Sequence, residues 1–255
     1  MHLAIKQGEA ALGDILRRYY ATLLESFGPQ GWWPARTRWE VIWGAILTQN
    51  TTWRNATLAL KNLRKAGLLA WRPLSQISLR ELEALVRPAG FYRQKARTLH
   101  DFAIWIDNAH GGSLDSLFAL GAARARAQLL ALKGIGPETA DAILLYSGRQ
   151  LVSVADAYTR RVLSRHELLS PTADYASAQQ FLHQHLPPDA ALFNEFHALL
   201  VEVAKRYCLR NVAHCEECPL GKFLGPNSKF ETRNSKIEGR NSARNSGFDS
   251  GVSVL

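Results

Sequence analysis

The chain has 255 residues, 47% of them hydrophobic, which is enough to bury a sizeable core in one large domain or two small ones. Its formal net charge of +9 favours a polyanionic partner, of which nucleic acid is the commonest. No window approaches 18 uninterrupted apolar residues, which excludes a membrane-spanning helix, and the first residues lack the basic and apolar regions of a signal peptide, so a cytoplasmic protein is expected.

Helical spacing recurs along the chain and no run alternates with period two, which predicts an all-α architecture with short loops. Ala10 to Phe27 carries apolar residues at Leu12, Ile15, Leu16, Tyr19, Leu23 and Leu24. A Gly28-Pro29-Gln30-Gly31 loop then leads through Trp32-Trp33-Pro34 to an apolar helix over 39–48, with Trp39 and Trp43 on one core-facing side. After Leu47-Thr48-Gln49-Asn50-Thr51 come helices over 54–66 and 78–86, the second stopped by Pro88. Gly90-Phe91-Tyr92-Arg93-Gln94-Lys95-Ala96 opens an amphipathic helix that runs to Asn108. Helices over 113–120, 122–132, 137–147, 156–165, 174–185 and 190–208 complete the body. Beyond Leu224 the chain becomes a polar, degenerate seven-residue repeat, and 225–255 is expected to be a disordered low-complexity tail. That tail holds five Lys/Arg against three acids, so it is not the source of the basic character.

Three features carry chemistry. The first is the hairpin Lys133-Gly134-Ile135-Gly136-Pro137-Glu138 between two helices. Its glycines allow positive φ and close backbone approach, and the N–H groups and dipole of the second helix suit a phosphate, with Lys133 as countercharge. A plain packing corner would use similar residues. The hairpin is followed by Asp156 at the start of the next helix, where capping and catalysis both fit. The second feature is the adjacent pair Trp32 and Trp33, bounded by Gly31 and Pro34. Two neighbouring indoles cannot easily face one core side, but they suit stacking on a nucleic-acid base. The third is the cysteine set. All three cysteines lie between Cys208 and Cys218, which points to a metal or cluster site and away from a disulfide framework.

These segments together resemble the helix-hairpin-helix-GPD superfamily of DNA glycosylases, near endonuclease III. The Trp-Trp-Pro, Leu-Thr-Gln-Asn-Thr and Gly-Ile-Gly-Pro-Glu-Thr-Ala-Asp runs resemble its 3-methyladenine DNA glycosylase III branch. The resemblance covers most of residues 30–218. It implies a two-lobed helical body over 1–224, with the N- and C-terminal segments forming the second lobe. It makes Asp156 the catalytic carboxylate, which would stabilise an oxocarbenium-like sugar and activate water. Bifunctional members carry a lysine nucleophile where this chain has Glu138, and a carboxylate cannot form a Schiff base. A monofunctional DNA N-glycosylase without abasic-site lyase activity is therefore expected. Glu138 is then either a second acid of the pocket or a first-turn acid that complements the helix dipole. By the same resemblance Gln49 is the wedge that fills the gap of the flipped nucleotide, and Trp32, Trp33 and Lys205 line the base pocket. Lys133, Gly134, Ile135, Gly136, Arg93 and Lys95 contact DNA. Cys208-x6-Cys215-x2-Cys218 begins the family's [4Fe–4S] ligand pattern, but the fourth place is Leu224, so the ligand set is incomplete. A zinc site using His214 is the other reading of the cysteines. The expected function is base excision repair of alkylated purines in double-stranded DNA by a monomer. The alternatives are a glycosylase for mismatched adenine or oxidised pyrimidine, and a non-catalytic DNA-binding relative.

Overall fold

The computed structural model describes residues 2–224, with side chains from 11 onward. The expected disorder of the tail lies outside the described residues. Among them there is no β-strand, only an isolated bridge between Cys208 and Ala213. The helices are α1 (His2–Phe27), α2 (Arg38–Leu47), α3 (Trp53–Lys65), α4 (Trp71–Gln76), α5 (Leu79–Val86), α6 (Tyr92–His110), α7 (Leu114–Phe118), α8 (Ala122–Leu130), α9 (Pro137–Ala142), α10 (Ala157–Arg165), α11 (Tyr175–His185) and α12 (Ala190–Arg206). An all-α fold is what the periodicity predicts. Several starts move by one residue because Ser78, Ser113 and Asp174 are caps, each accepting a backbone N–H three residues on. The short α4 is not predicted from the sequence: six residues interrupted by Pro73 are too few to show a period. The helix expected over 137–147 divides, since α9 passes at Ile143–Ser147 into a single π turn.

The chain forms two compact units. One comprises residues 31–156 with 188–194 and holds α2 to α9. Its centre is α2, whose residues from Glu40 to Leu47 are all buried. Around it pack α3, α6 and the π turn, while α4 and α5 lie on α6. Trp43 is fully buried, meets Phe102 edge-on at 5.6 Å, and donates its Nε1–H to Leu69 O at 3.0 Å. The buried carboxylate of Glu40 accepts the Arg36 amide and the Arg64 guanidinium, Nε at 2.9 Å and Nη2 at 2.6 Å. Burial alone would raise its pKa, but the Arg36 amide and Arg64 hold it below the usual value.

The other unit comprises α1, 157–187 and the chain from 195 on. Leu16, Tyr19 and Leu23 of α1 are buried, as are Phe196, Leu199 and Val203 of α12 and Val162 and Leu163 of α10. Gly13 lets α1 approach α11 closely: a Cβ there would lie 2.9 Å from His185 O. Tyr19 also donates to or accepts from His166 Nδ1 at 2.7 Å and packs on Phe223.

Candidate active site

The hairpin between α8 and α9 is built as a tight backbone corner. Gly134 has φ +91°, and a Cβ there would lie 2.2 Å from Thr98 Oγ1, so geometry and space both require glycine. Gly136 has extended backbone and precedes Pro137 at the first position of α9, where a missing N–H costs nothing. Lys133 and both glycines are exposed. Ile135 departs from its expected role as a DNA contact. Its side chain is 5% exposed and its N–H donates to Leu132 O at 3.1 Å, so it anchors the corner and its amide is committed within it.

Gln49 stands just beyond the C-terminus of α2. Its Nε2 donates to Gly134 O and to Thr139 Oγ1, each at 2.9 Å. The residue expected to be the wedge is thus tied to the hairpin turn.

Lys95 is corrected. It is 3% exposed, and its ammonium donates to Leu47 O at 2.9 Å and Ala89 O at 2.7 Å. It holds the end of α2 to the turn before α6 and offers nothing to an external phosphate. Burial lowers its pKa to about 8. Arg93 of the same turn is exposed, as expected of a surface contact. Sequence reasoning passes over Phe91 in this turn. It is 64% exposed and left-handed, at φ 43°. An exposed aromatic side chain on such a corner is the signal that marks it.

Trp32 and Trp33 come together in the unit that carries α2 to α9. Their rings are 5.1 Å apart, and Trp53 packs against both, at 5.1 and 5.2 Å. Tyr146 faces Trp33 at 5.5 Å. Trp33 is seated on α2 because Gly44 has no side chain: a Cβ there would lie 2.8 Å from Trp33 Cζ2. Trp32, Trp33 and Tyr146 line a cavity of about 690 Å³ that also takes in Arg36, Arg149 and Asn194. Burial, then the carboxylates of Asp156 and Glu138, push the Tyr146 phenol well above its usual pKa. Neither Asp156 nor Glu138 is among the residues that line this cavity. Asp156 is 1% exposed and immediately precedes α10. Trp53 and Tyr146 escape sequence reasoning, because each looks like an ordinary helical core residue. Lys205 is exposed near the end of α12, in the unit that does not contain this cavity, and the structure does not place it among the lining residues.

Cys208, Cys215 and Cys218 line a separate cavity of about 20 Å³ together with Leu224, Arg165 and His166. Arg165 Nη1 lies 3.2 Å from Cys208 Sγ. Burial raises the pKa of Cys215 and Cys218, and the neighbouring cysteines add to it. Among the described residues no three His, Cys, Asp or Glu side chains are arranged to hold a metal ion. Three thiols, an apolar side chain in the fourth place and room for about one water do not fit a cluster held by four thiolates.

The model of the HhH-GPD superfamily of base excision DNA repair proteins matches residues 43–188. A candidate DNA repair glycosylase of Methanocaldococcus jannaschii is 39% identical over 217 residues, covering 82% of this chain and 96% of its own. Among solved structures, the H. pylori 3-methyladenine DNA glycosylase bound to 1,N6-ethenoadenine superposes with a TM-score of 0.66 at 30% identity, over 76% of this chain and 97% of that one. Endonuclease III in a non-covalent complex with DNA gives a TM-score of 0.71 at 19% identity, over 83% and 94% of the two chains, a likeness of fold.

Proposed function

Because the chain belongs to the HhH-GPD superfamily of base excision DNA repair proteins, we propose that it is a monofunctional DNA N-glycosylase, which flips alkylated purines out of duplex DNA and hydrolyses their N-glycosyl bond. The observation that carries this reading is a buried Asp156 directly before α10 in a chain whose hairpin has Glu138 where a lyase would need an amine.

The chain meets the duplex with the hairpin, where Lys133 and the backbone at Gly134 and Gly136 receive a phosphate. Arg93 takes another. Gln49 enters the gap left by the extruded nucleotide, and Phe91 serves as a second, apolar wedge between base steps. The flipped base stacks on Trp32 and Trp33, with Trp53 behind them. Positive charge on an alkylated purine is favoured by the indole faces. As the bond breaks, charge develops on the sugar, and ionised Asp156 stabilises it and activates the attacking water. With no amine at 138, the sugar is left as an intact abasic site.

The test is to incubate the protein with duplexes bearing 3-methyladenine, hypoxanthine, adenine opposite 8-oxoguanine, or thymine glycol, and then to cleave abasic sites with alkali. Release from the 3-methyladenine duplex, with strand scission only after alkali, is expected. Scission without alkali, or trapping of the protein on DNA by borohydride, overturns the monofunctional reading. Release from another duplex only moves the substrate class, and release from none leaves a DNA-binding protein. The H. pylori glycosylase solved with 1,N6-ethenoadenine is the relative that most supports the purine assignment.

A further inference from the structure

The cavity lined by Trp32, Trp33 and Tyr146 has a polar side as well as an aromatic one. Much of that side is committed within the fold. Thr37 Oγ1 accepts the Glu40 amide at 3.2 Å, and Gln150 Nε2 donates to Gly148 O at 3.2 Å. Arg38 donates to Asp115 Oδ1 at 2.6 Å and to Ser147 O at 3.0 Å. Arg36 and Arg149 are exposed and can only donate. Asn194 of α12 differs from all of these. It lines the cavity, yet its Oδ1 is buried without a hydrogen-bond partner among the described residues. The backbone that carries it is fixed. Asp189 Oδ1 accepts the Ala191 amide at 2.8 Å, Asp189 O accepts the Phe193 amide at 3.0 Å, and Phe193 is buried. Leaving a buried acceptor unpaired destabilises the free fold, so one kept on a cavity wall is explained by a donor that arrives from outside.

We propose that Asn194 sets the specificity of the pocket: its amide oxygen accepts from the exocyclic 6-amino group of a purine stacked on Trp32 and Trp33. This rests on the glycosylase reading above and narrows the substrates to adenine-derived lesions. An adenine ring presents N–H donors at N6 beside an acceptor at N7, a pattern that an asparagine amide matches with its oxygen and its NH2. Methylation at N3 leaves both groups in place. Guanine and hypoxanthine present O6 instead, so two acceptors face one another and the Asn194 oxygen stays unpaired. Stacking is open to any purine and gives affinity, while the amide gives choice.

The tryptophans of the pocket report on the site. In the full-length protein, quenching of their fluorescence by free adenine and by free hypoxanthine gives the preference without DNA or catalysis. Adenine is expected to bind about tenfold more tightly, the worth of one hydrogen bond. Asn194→Leu keeps the size and removes the amide, and should make the two bases bind alike. It should not lower the melting temperature, because the Asn194 oxygen gives up no bond in the free fold, whereas a structural role would lower it. Asn194→Asp keeps an acceptor and should keep the preference. Equal binding by the parent, no quenching by either base, a preference that survives Asn194→Leu, or its loss in Asn194→Asp overturns the proposal. On duplexes, Asn194→Leu should narrow the ratio of 3-methyladenine to 7-methylguanine release by about tenfold, and an unchanged ratio also overturns it. If the parent releases no base but prefers free adenine through Asn194, the glycosylase reading fails and the role of Asn194 stands. Should Asn194→Leu not fold, Asn194→Ala is read in its place against the same outcomes.

Discussion

At the scale of single residues, the pocket depends on which side chains are large and which are absent. Trp33 can lie on α2 only because residue 44 is glycine. Gly44→Ala is expected to displace the indole and to reduce base release as Trp33→Ala does, by about 5- to 150-fold, the value of about 1–3 kcal/mol for a base stack. Single-turnover release measures both, and unimpaired release by Gly44→Ala with a displaced Trp33 would remove the indole from the reaction. Phe91→Ala, by contrast, should leave the melting temperature unchanged, because the ring is 64% exposed. It should weaken duplex binding by about tenfold if the ring wedges between base steps, as anisotropy titration would show. Asp156, Glu138, Trp32 and Trp33 can be singled out from a sequence because their information is chemical type and spacing along the chain. Trp53, Tyr146 and Lys95 cannot, because their roles arise from what surrounds them. Lys95 beside Arg93 reads as two surface cations, and only the packing of α6 turns one of them inward.

At the scale of elements, the buried Lys95 couples α6 to the end of α2, and this coupling has a pH signature. Its pKa falls from the usual 10.5 to about 8 in the folded chain. Between those values the unfolded chain binds more protons than the folded one, so folding stability rises with pH across this window and is flat below it. Lys95→Met should abolish that rise while keeping much of the packing volume. Guanidinium unfolding of both proteins from pH 7.5 to 10 tests the difference, and parallel curves would mean that Lys95 titrates normally. Most helices are legible in the sequence because a 3.6-residue apolar period, sustained over ten or more residues, matches the repeat of no other backbone conformation. The π turn is not, since Ile143-Leu144-Leu145-Tyr146 satisfies the helical pattern equally well in either register. Nor is α4, whose six residues hold less than two turns.

For the whole molecule, the superfamily and its all-helical fold are legible because several motifs agree across most of the chain. The state of the cysteine segment is less so, because it depends on what fills the fourth place. Leu220 is fully buried and Phe223 packs on Tyr19, so the segment is held by apolar contacts. The parent protein should show no broad absorbance near 400 nm after treatment with iron and sulfide. Leu224→Cys should gain it, together with bound iron. Cluster uptake by the parent would show that three thiols suffice. Meeting DNA also asks something of the hairpin. Both hydrogens of the Gln49 amide are already in use in the DNA-free fold. If Gln49 enters a duplex as proposed, that step is an exchange of partners, in which each bond given up is worth about 0.5–1.5 kcal/mol. In the proposed complex, an orphaned base with matching acceptors would make the exchange nearly neutral and one without them would leave the amide on the hairpin, so the corner at Gly134 would also set a threshold for opening the helix.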